Sequence, residues 1–112
     1  MMTERKALLN DEIKAALQTL PGWTVVEGQT GRPPAHELHK RFVFQDFVHA
    51  IAFMTSAAGP IDTLNHHPRW ENVWNRIDVF LSTHDLASQI SPADVELARL
   101  LESLYVNAKG KA

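Results

Sequence analysis

The run Asn65-His66-His67-Pro68 constrains this chain more than any other stretch. A residue before proline is pushed out of the helical region, so His67 is expected to be extended and a helix arriving there must end before it. If His66 is extended too, successive side chains diverge and the two imidazoles point in two directions. A third imidazole, His84, ends an alternating apolar run in Ser82-Thr83-His84-Asp85. The chain holds six histidines, and these three sit where the backbone holds them.

Helix and strand signals on either side are clear. Asn10–Leu20 reads as a helix capped by Asn10, with Asp11 and Glu12 at its positive end and Ile13, Ala16, Leu17 and Leu20 on one stripe. Pro21-Gly22 ends it, and Trp23–Glu27 reads as a strand followed by a turn over Gly28–Pro34. Leu38–Phe44 is the second strand of this hairpin, with Leu38, Phe42 and Phe44 on one face. Asp46 caps a second helix whose stripe is Phe47, Ala50, Ile51, Met54, Ala58 and Ile61. Gly59-Pro60 falls inside it, so a kink or break is expected there, with Ile61–Leu64 as a separate turn and Asn65 as its left-handed terminator.

Ile77, Val79 and Leu81 alternate with polar neighbours as a half-buried strand, and Trp70–Trp74 reads as the strand before it. Trp74 and Phe80 share the polar parity, which predicts a second subunit over that face. Ser91, Pro92 and Asp94 make a helix start with a capping box. The stripe of that helix is Leu97, Ala98, Leu101, Leu104 and Tyr105, and Lys109–Ala112 is expected to fray. The order α-β-β-α-β-β-α, with connections too short for crossovers, predicts an α+β fold: one antiparallel sheet with helices on one face.

At 112 residues the chain makes a single domain over 1–112, and 45% hydrophobic with 21% charged residues is a globular balance. A net charge of -2 provides no basic footprint for nucleic acid. With no cysteine there is no disulfide, thiolate nucleophile or cysteine-held zinc. Without a long apolar run or a leader-like N-terminus, a soluble cytoplasmic protein away from membranes is expected.

Three readings fit the histidines. Turn and strand-end histidines can be purely structural, and His36, His39 and His49 are read that way. Three imidazoles are also a legitimate zinc set, although adjacent histidines seldom converge on one ion and no H-E-x-x-H spacing occurs. The third is proton transfer by imidazoles near their pKa, with Asp62, Asp85 and Asp94 as carboxylate partners. Asp94 is split between capping acid and site acid.

The pattern Asp62-x3-His66-His67-Pro68, then Trp74, then Thr83-His84-Asp85, then Asp94 closely resembles the pterin-4a-carbinolamine dehydratases. Pro21-Gly22-Trp23, Phe42-x-Phe44-x-Asp46-Phe47, Ala50-x-x-Phe53-Met54 and Leu97-Ala98 extend the resemblance over Leu9–Leu104. It implies a two-layer sandwich assembling as a homodimer or homotetramer. The implied reaction is loss of water from 4a-hydroxytetrahydrobiopterin to give quinonoid dihydrobiopterin, using neither metal nor organic cofactor. The matching catalytic residues are His66, His67 and His84, with His66 and His84 moving protons and His67 holding the ring. Asp62, Pro68, Trp23, Thr83 and Asp94 are the implied substrate-binding residues. Asp62 departs from the family's usual glutamate, and Gly59-Pro60 interrupts a helix usually unbroken. The alternative is a non-enzymatic dimerisation or assembly partner of the same fold; the intact histidine set argues against the assembly role, and only the apolar residues of the sheet's outer face speak for the dimerisation one.

Overall fold

Helix starts and stops account for most of the architecture. A computed structural model describes residues 6–27, 36–86 and 89–110, which leaves the expected turn over Gly28–Pro34 outside them. Its elements are α1 (Asn10–Leu17), β1 (Thr24–Glu27), β2 (His36–Val43), α2 (Phe47–Leu64), β3 (Arg69–Val73), β4 (Arg76–Leu81), a single 3-10 turn (His84–Leu86) and α3 (Pro92–Gly110). The strands form one antiparallel sheet in the order β1-β2-β4-β3. This is the expected α-β-β-α-β-β-α order, with the helices packed on one face.

Strand alternation sorts the two faces. Leu38 and Phe42 of β2 and Ile77, Val79 and Leu81 of β4 are buried against the helices. They meet Ala50, Phe53, Ala57 and Ile61 of α2 and Leu97, Ala98 and Leu101 of α3. The ring of Phe42 lies 6.0 Å from Trp23, 5.7 Å from Phe53 and 4.8 Å from Tyr105, an aromatic cluster at the centre of the core. Opposite parity turns Glu37, His39, Arg41, Asp78, Phe80 and Arg69 to the open face.

The first helix differs from the sequence expectation at both ends. Its N-cap is Leu9, whose N–H donates to Glu12 Oε1 at 2.8 Å, so Asn10 is already helical. It stops at Leu17, and Leu20 reaches the core from the following turn. The left-handed Gly22, at φ +86, then directs the chain into β1. Asp46 caps α2 as expected, accepting from His49 N–H at 2.8 Å. The buried stripe of α2 is rotated from the expected one, however: Phe53 and Ala57 face the core, while Phe47 is 50% exposed. The helix α3 runs to Gly110 and so takes in the first two residues of the stretch expected to fray, while Lys111 and Ala112 lie outside the described residues.

The expected break at Gly59-Pro60 is absent, for α2 is one helix through Leu64 with Pro60 inside. A proline clashes with the Cβ of the residue before it, and Gly59 has none, so the pair stays helical at the cost of one hydrogen bond to Ser56 O. Apart from its chain neighbours and the backbone of its own helix, nothing would meet a Cβ at Gly59 within 4 Å. Two effects therefore couple. Pro60→Ala is expected to raise stability by about 2 kcal/mol, the helix-interior penalty less the unfolded-state rigidity of proline. Gly59→Ala alone should gain almost nothing, yet about 1 kcal/mol once Pro60 is gone. A urea-denaturation double-mutant cycle measures this, and strictly additive values would contradict it.

Trp74 is also placed differently from the strand reading. It occupies the two-residue turn between β3 and β4 at φ 51 and is 64% exposed, so it is not on the face that Phe80 shares. Asn72 Nδ2 donates to Trp74 O and Arg76 O, and Asn75 Nδ2 donates to Phe44 O, which holds the turn without glycine.

Candidate active site

Asn65 ends α2 in the left-handed region at φ 59 and ψ 38, its N–H donating to Ile61 O and Asp62 O. The two histidines after it then take different partners, as extended residues before Pro68 should. His66 turns inward, 8% exposed, and places Nε2 2.6 Å from Asp94 Oδ1. His67 turns outward, its Nε2 3.1 Å from Asp62 Oδ1. That second pair is solvent-exposed on both sides and holds its ring only weakly.

Asp94 is 0% exposed and serves two purposes, so neither of its two sequence readings excludes the other. Its Oδ2 accepts the Ser91 N–H at 2.8 Å, the capping-box bond that starts α3. The same oxygen accepts Thr83 Oγ1–H at 2.8 Å, and Thr83 and Ser91 hydroxyls lie 2.5 Å apart. Oδ1 is left for His66. A carboxylate oxygen accepts, so the hydrogen sits on His66 Nε2, which leaves Nδ1 with the free lone pair. Thr83 is thus a buried strut joining the end of β4 to the start of α3, and its backbone bridge to Gln89 closes the loop carrying His84.

His84 opens the 3-10 turn and is exposed, with no hydrogen bond to the described residues. It shares a cleft of about 200 Å³ with His67, Pro68, Arg69, Phe80, Ser82 and Glu37. A shallower groove of about 510 Å³ lies on the other side of His67 and Pro68, against Ala58, Gly59, Ile61, Asp62 and Trp70. Asp62 therefore borders the second groove, reaching the site only through His67.

Of the sequence-predicted residues, His67, Pro68 and His84 line one cleft, and His66, Thr83 and Asp94 form a buried hydrogen-bonded set at the end of β4. Trp23 is elsewhere. It is buried in the core, donates Nε1–H to Glu102 at 2.9 Å, and borders a different groove. Glu102 also accepts from Lys40, which joins α3 to β2. The side chain of Asp85 lies outside the described ones.

Glu37, Arg69 and Phe80 are cleft residues that sequence reasoning missed. Glu37 is a carboxylate 2% exposed on the open sheet face, and Arg69 Nη2–H donates to its Oε1 at 2.8 Å. Arg69 Cζ stands 4.0 Å from the Phe80 ring centroid, and His39 lies against the same ring at 4.8 Å. The available signal was Phe80, an aromatic on the polar parity of a strand. His39 also meets Asp78 at 2.9 Å, and Arg41 meets it at 3.0 Å. Burial pushes the Asp78 carboxyl up, but the bonds from Arg41 and His39 together outweigh it and hold it below its ordinary value. The Asp46 carboxyl is lowered too, chiefly by the His49 N–H and then by its ring, 2.6 Å away. Among the described residues no group of three or more His, Cys, Asp or Glu is arranged to hold a metal ion, and no helix is long and apolar enough to cross a membrane.

A small α+β sandwich carrying a histidine cleft and a buried His–Asp pair defines the class. The sequence model of the family described as pterin 4 alpha carbinolamine dehydratase matches residues 6–104, and the chain belongs to that family. A Solibacter usitatus protein named "Putative pterin-4-alpha-carbinolamine dehydratase" is 43% identical over 97 residues, 87% of this chain and 93% of that one. A Burkholderia orbicola protein of the same name is 40% identical over 102 residues, 91% and 93% of the two chains. The crystal structure of a transcriptional coactivator/pterin dehydratase from Brucella melitensis superposes with TM-score 0.77 at 34% identity, covering 89% of this chain and 99% of that one. A pterin dehydratase-like protein identified as a RuBisCO assembly factor in the alpha-carboxysome gives TM-score 0.57 at 21% identity, over 75% and 89% of the two chains. At that identity the likeness is one of fold.

Proposed function

We propose that this chain is a dehydratase that removes water from 4a-hydroxytetrahydrobiopterin and releases quinonoid dihydrobiopterin. The observation that carries the reading is the division of labour among three imidazoles: two line an open cleft, and the third is buried on a carboxylate. In the reaction the C4a–O bond breaks, the hydroxyl leaves as water after taking a proton, and N5 loses its proton as the C4a–N5 double bond forms. His84, with both ring nitrogens unengaged by described residues, is the donor to the departing hydroxyl. His66 is the acceptor of the N5 proton, since Asp94 holds Nε2–H and keeps the lone pair on Nδ1. His67 and Pro68 position the ring against Phe80. Asp62 orients His67, and Thr83 orients Asp94. All the chemistry is proton transfer, and no metal or organic cofactor enters it.

Trp23, buried away from the cleft, acts through core packing in this reading. Working in the cytoplasm as a homodimer or homotetramer is the accompanying expectation, checked by sedimentation. The deciding experiment is stopped-flow dehydration of freshly generated 4a-hydroxytetrahydrobiopterin with catalytic amounts of protein. The expected result is turnover well above the spontaneous rate. A rate equal to the spontaneous one would overturn the enzyme reading in favour of a non-enzymatic partner protein of the same fold.

A further inference from the structure

We infer that Glu37 and Arg69, which lie outside the histidine signature, set the specificity of the cleft by reading the amino-pyrimidinone edge of its ligand. The inference rests on the pterin reading above. Glu37 belongs to the open, polar face of the sheet, yet it is buried to 2% exposure and still lines the cleft beside His67 and His84. Its Oε1 accepts from Arg69, and Oε2 takes no hydrogen bond from the described residues. A desolvated carboxylate with one oxygen unengaged by the described residues is costly to keep for the fold alone, because a buried ion pair seldom stabilises more than an apolar pair of the same volume.

Arg69 is held on three sides. Glu37 takes Nη2, Glu71 takes Nη1 at 3.1 Å, and the guanidinium stacks on Phe80. It is therefore a planar donor in a fixed orientation rather than a mobile surface cation. Carboxylate and guanidinium side by side offer acceptor next to donor. The pterin edge offers the complement: N–H donors at the 2-amino group and N3, then the C4 carbonyl acceptor. Glu37 accepts from the two N–H groups, and Arg69 donates to the carbonyl. A site built to bond a substrate N–H discriminates strongly against an analogue without it, because its own buried groups are then unpaired.

The test compares the affinity of a dihydropterin with that of its 2-deamino analogue. Wild-type protein is expected to prefer the dihydropterin by roughly 10²-fold or more. Glu37→Gln should weaken dihydropterin binding by about that factor, leave the analogue nearly unchanged, and so erase the preference. The double variant Glu37→Gln/Arg69→Gln, which leaves no unpaired buried charge, should also erase the preference, while binding both compounds more weakly because the C4 carbonyl loses its donor, and it guards against a folding defect in the single one. Preference retained in either variant, or affinity for both compounds lost equally, would overturn the inference. Wild-type protein that accelerates dehydration but shows no preference overturns this inference alone. Protein that binds no dihydropterin and gives no acceleration overturns both it and the reading on which it rests.

Discussion

His84→Ala is expected to slow dehydration roughly 10²- to 10⁴-fold, the usual worth of a positioned proton donor or acceptor. The side chain is exposed at the start of a short turn and engages no described residue, so the melting temperature should stay at the wild-type value. That separates a chemical loss from a folding loss. His66→Ala should cost as much in rate and also lower stability, since it leaves Asp94 Oδ1 buried without its donor. His67→Ala should raise KM more than it lowers kcat, because an exposed ring held only by Asp62 contributes binding to ground and transition states alike. All three effects should persist in the presence of a chelator. Activity abolished by chelation and restored by zinc would mean that the imidazoles are ligands, and would sink the proton-transfer assignment.

The parts of this molecule legible in its sequence are those governed by local rules. Asp46, Asn65 and the Ser91-Pro92-x-Asp94 start act through bonds within three or four residues, and all three are where those rules put them. Period-two alternation in β4 and the parity of Leu38 and Phe42 in β2 likewise follow from the pleat. Misreadings came where two local rules compete. Proline argued for a break at Gly59-Pro60, but the glycine before it removes the clash that usually enforces one. Trp74 gave no turn signal, because the turn is held by the Asn72 side chain on Trp74 O and by the bonds between its neighbour Asn75 and Phe44, and the second of these is a tertiary contact that no local pattern encodes.

The site divides in the same way. The extended backbone of His67 follows from Pro68, and the divergence of His66 from it follows once the left-handed Asn65 has ended α2 ahead of them. The joining of Asp94 to His66 follows from tertiary packing, since the two are brought together by the end of α2 and the start of α3. Glu37 and Arg69 were invisible as a pair: one lies in β2, the other in β3, and only the β2-β4-β3 order makes them neighbours.

Asp94 is the residue where fold and chemistry can be pulled apart by one atom. In Asp94→Asn the amide oxygen can keep the bonds from Ser91 N–H and Thr83 Oγ1, so the start of α3 survives and stability should fall by no more than about 1 kcal/mol. The NH2 group then faces His66 Nε2 and can only donate. His66 must move its hydrogen to Nδ1, the nitrogen assigned to receive the N5 proton. The rate should drop roughly 10²- to 10⁴-fold with the fold intact, the magnitude known for a histidine held in the wrong tautomer. Asp94→Ala differs in kind. It orphans the His66 Nε2–H and Ser91 N–H donors together and leaves Thr83 Oγ1 only the Ser91 hydroxyl, among residues 8% exposed or less, at about 1–3 kcal/mol for each group left buried and unsatisfied. Against a total of roughly 5–15 kcal/mol for a domain of this size, that is a large share of the stability. Denaturant titration beside single-turnover kinetics distinguishes the two variants. A wild-type rate in Asp94→Asn would show that the His66 tautomer is irrelevant to turnover, and would leave Asp94 as a helix cap and nothing more.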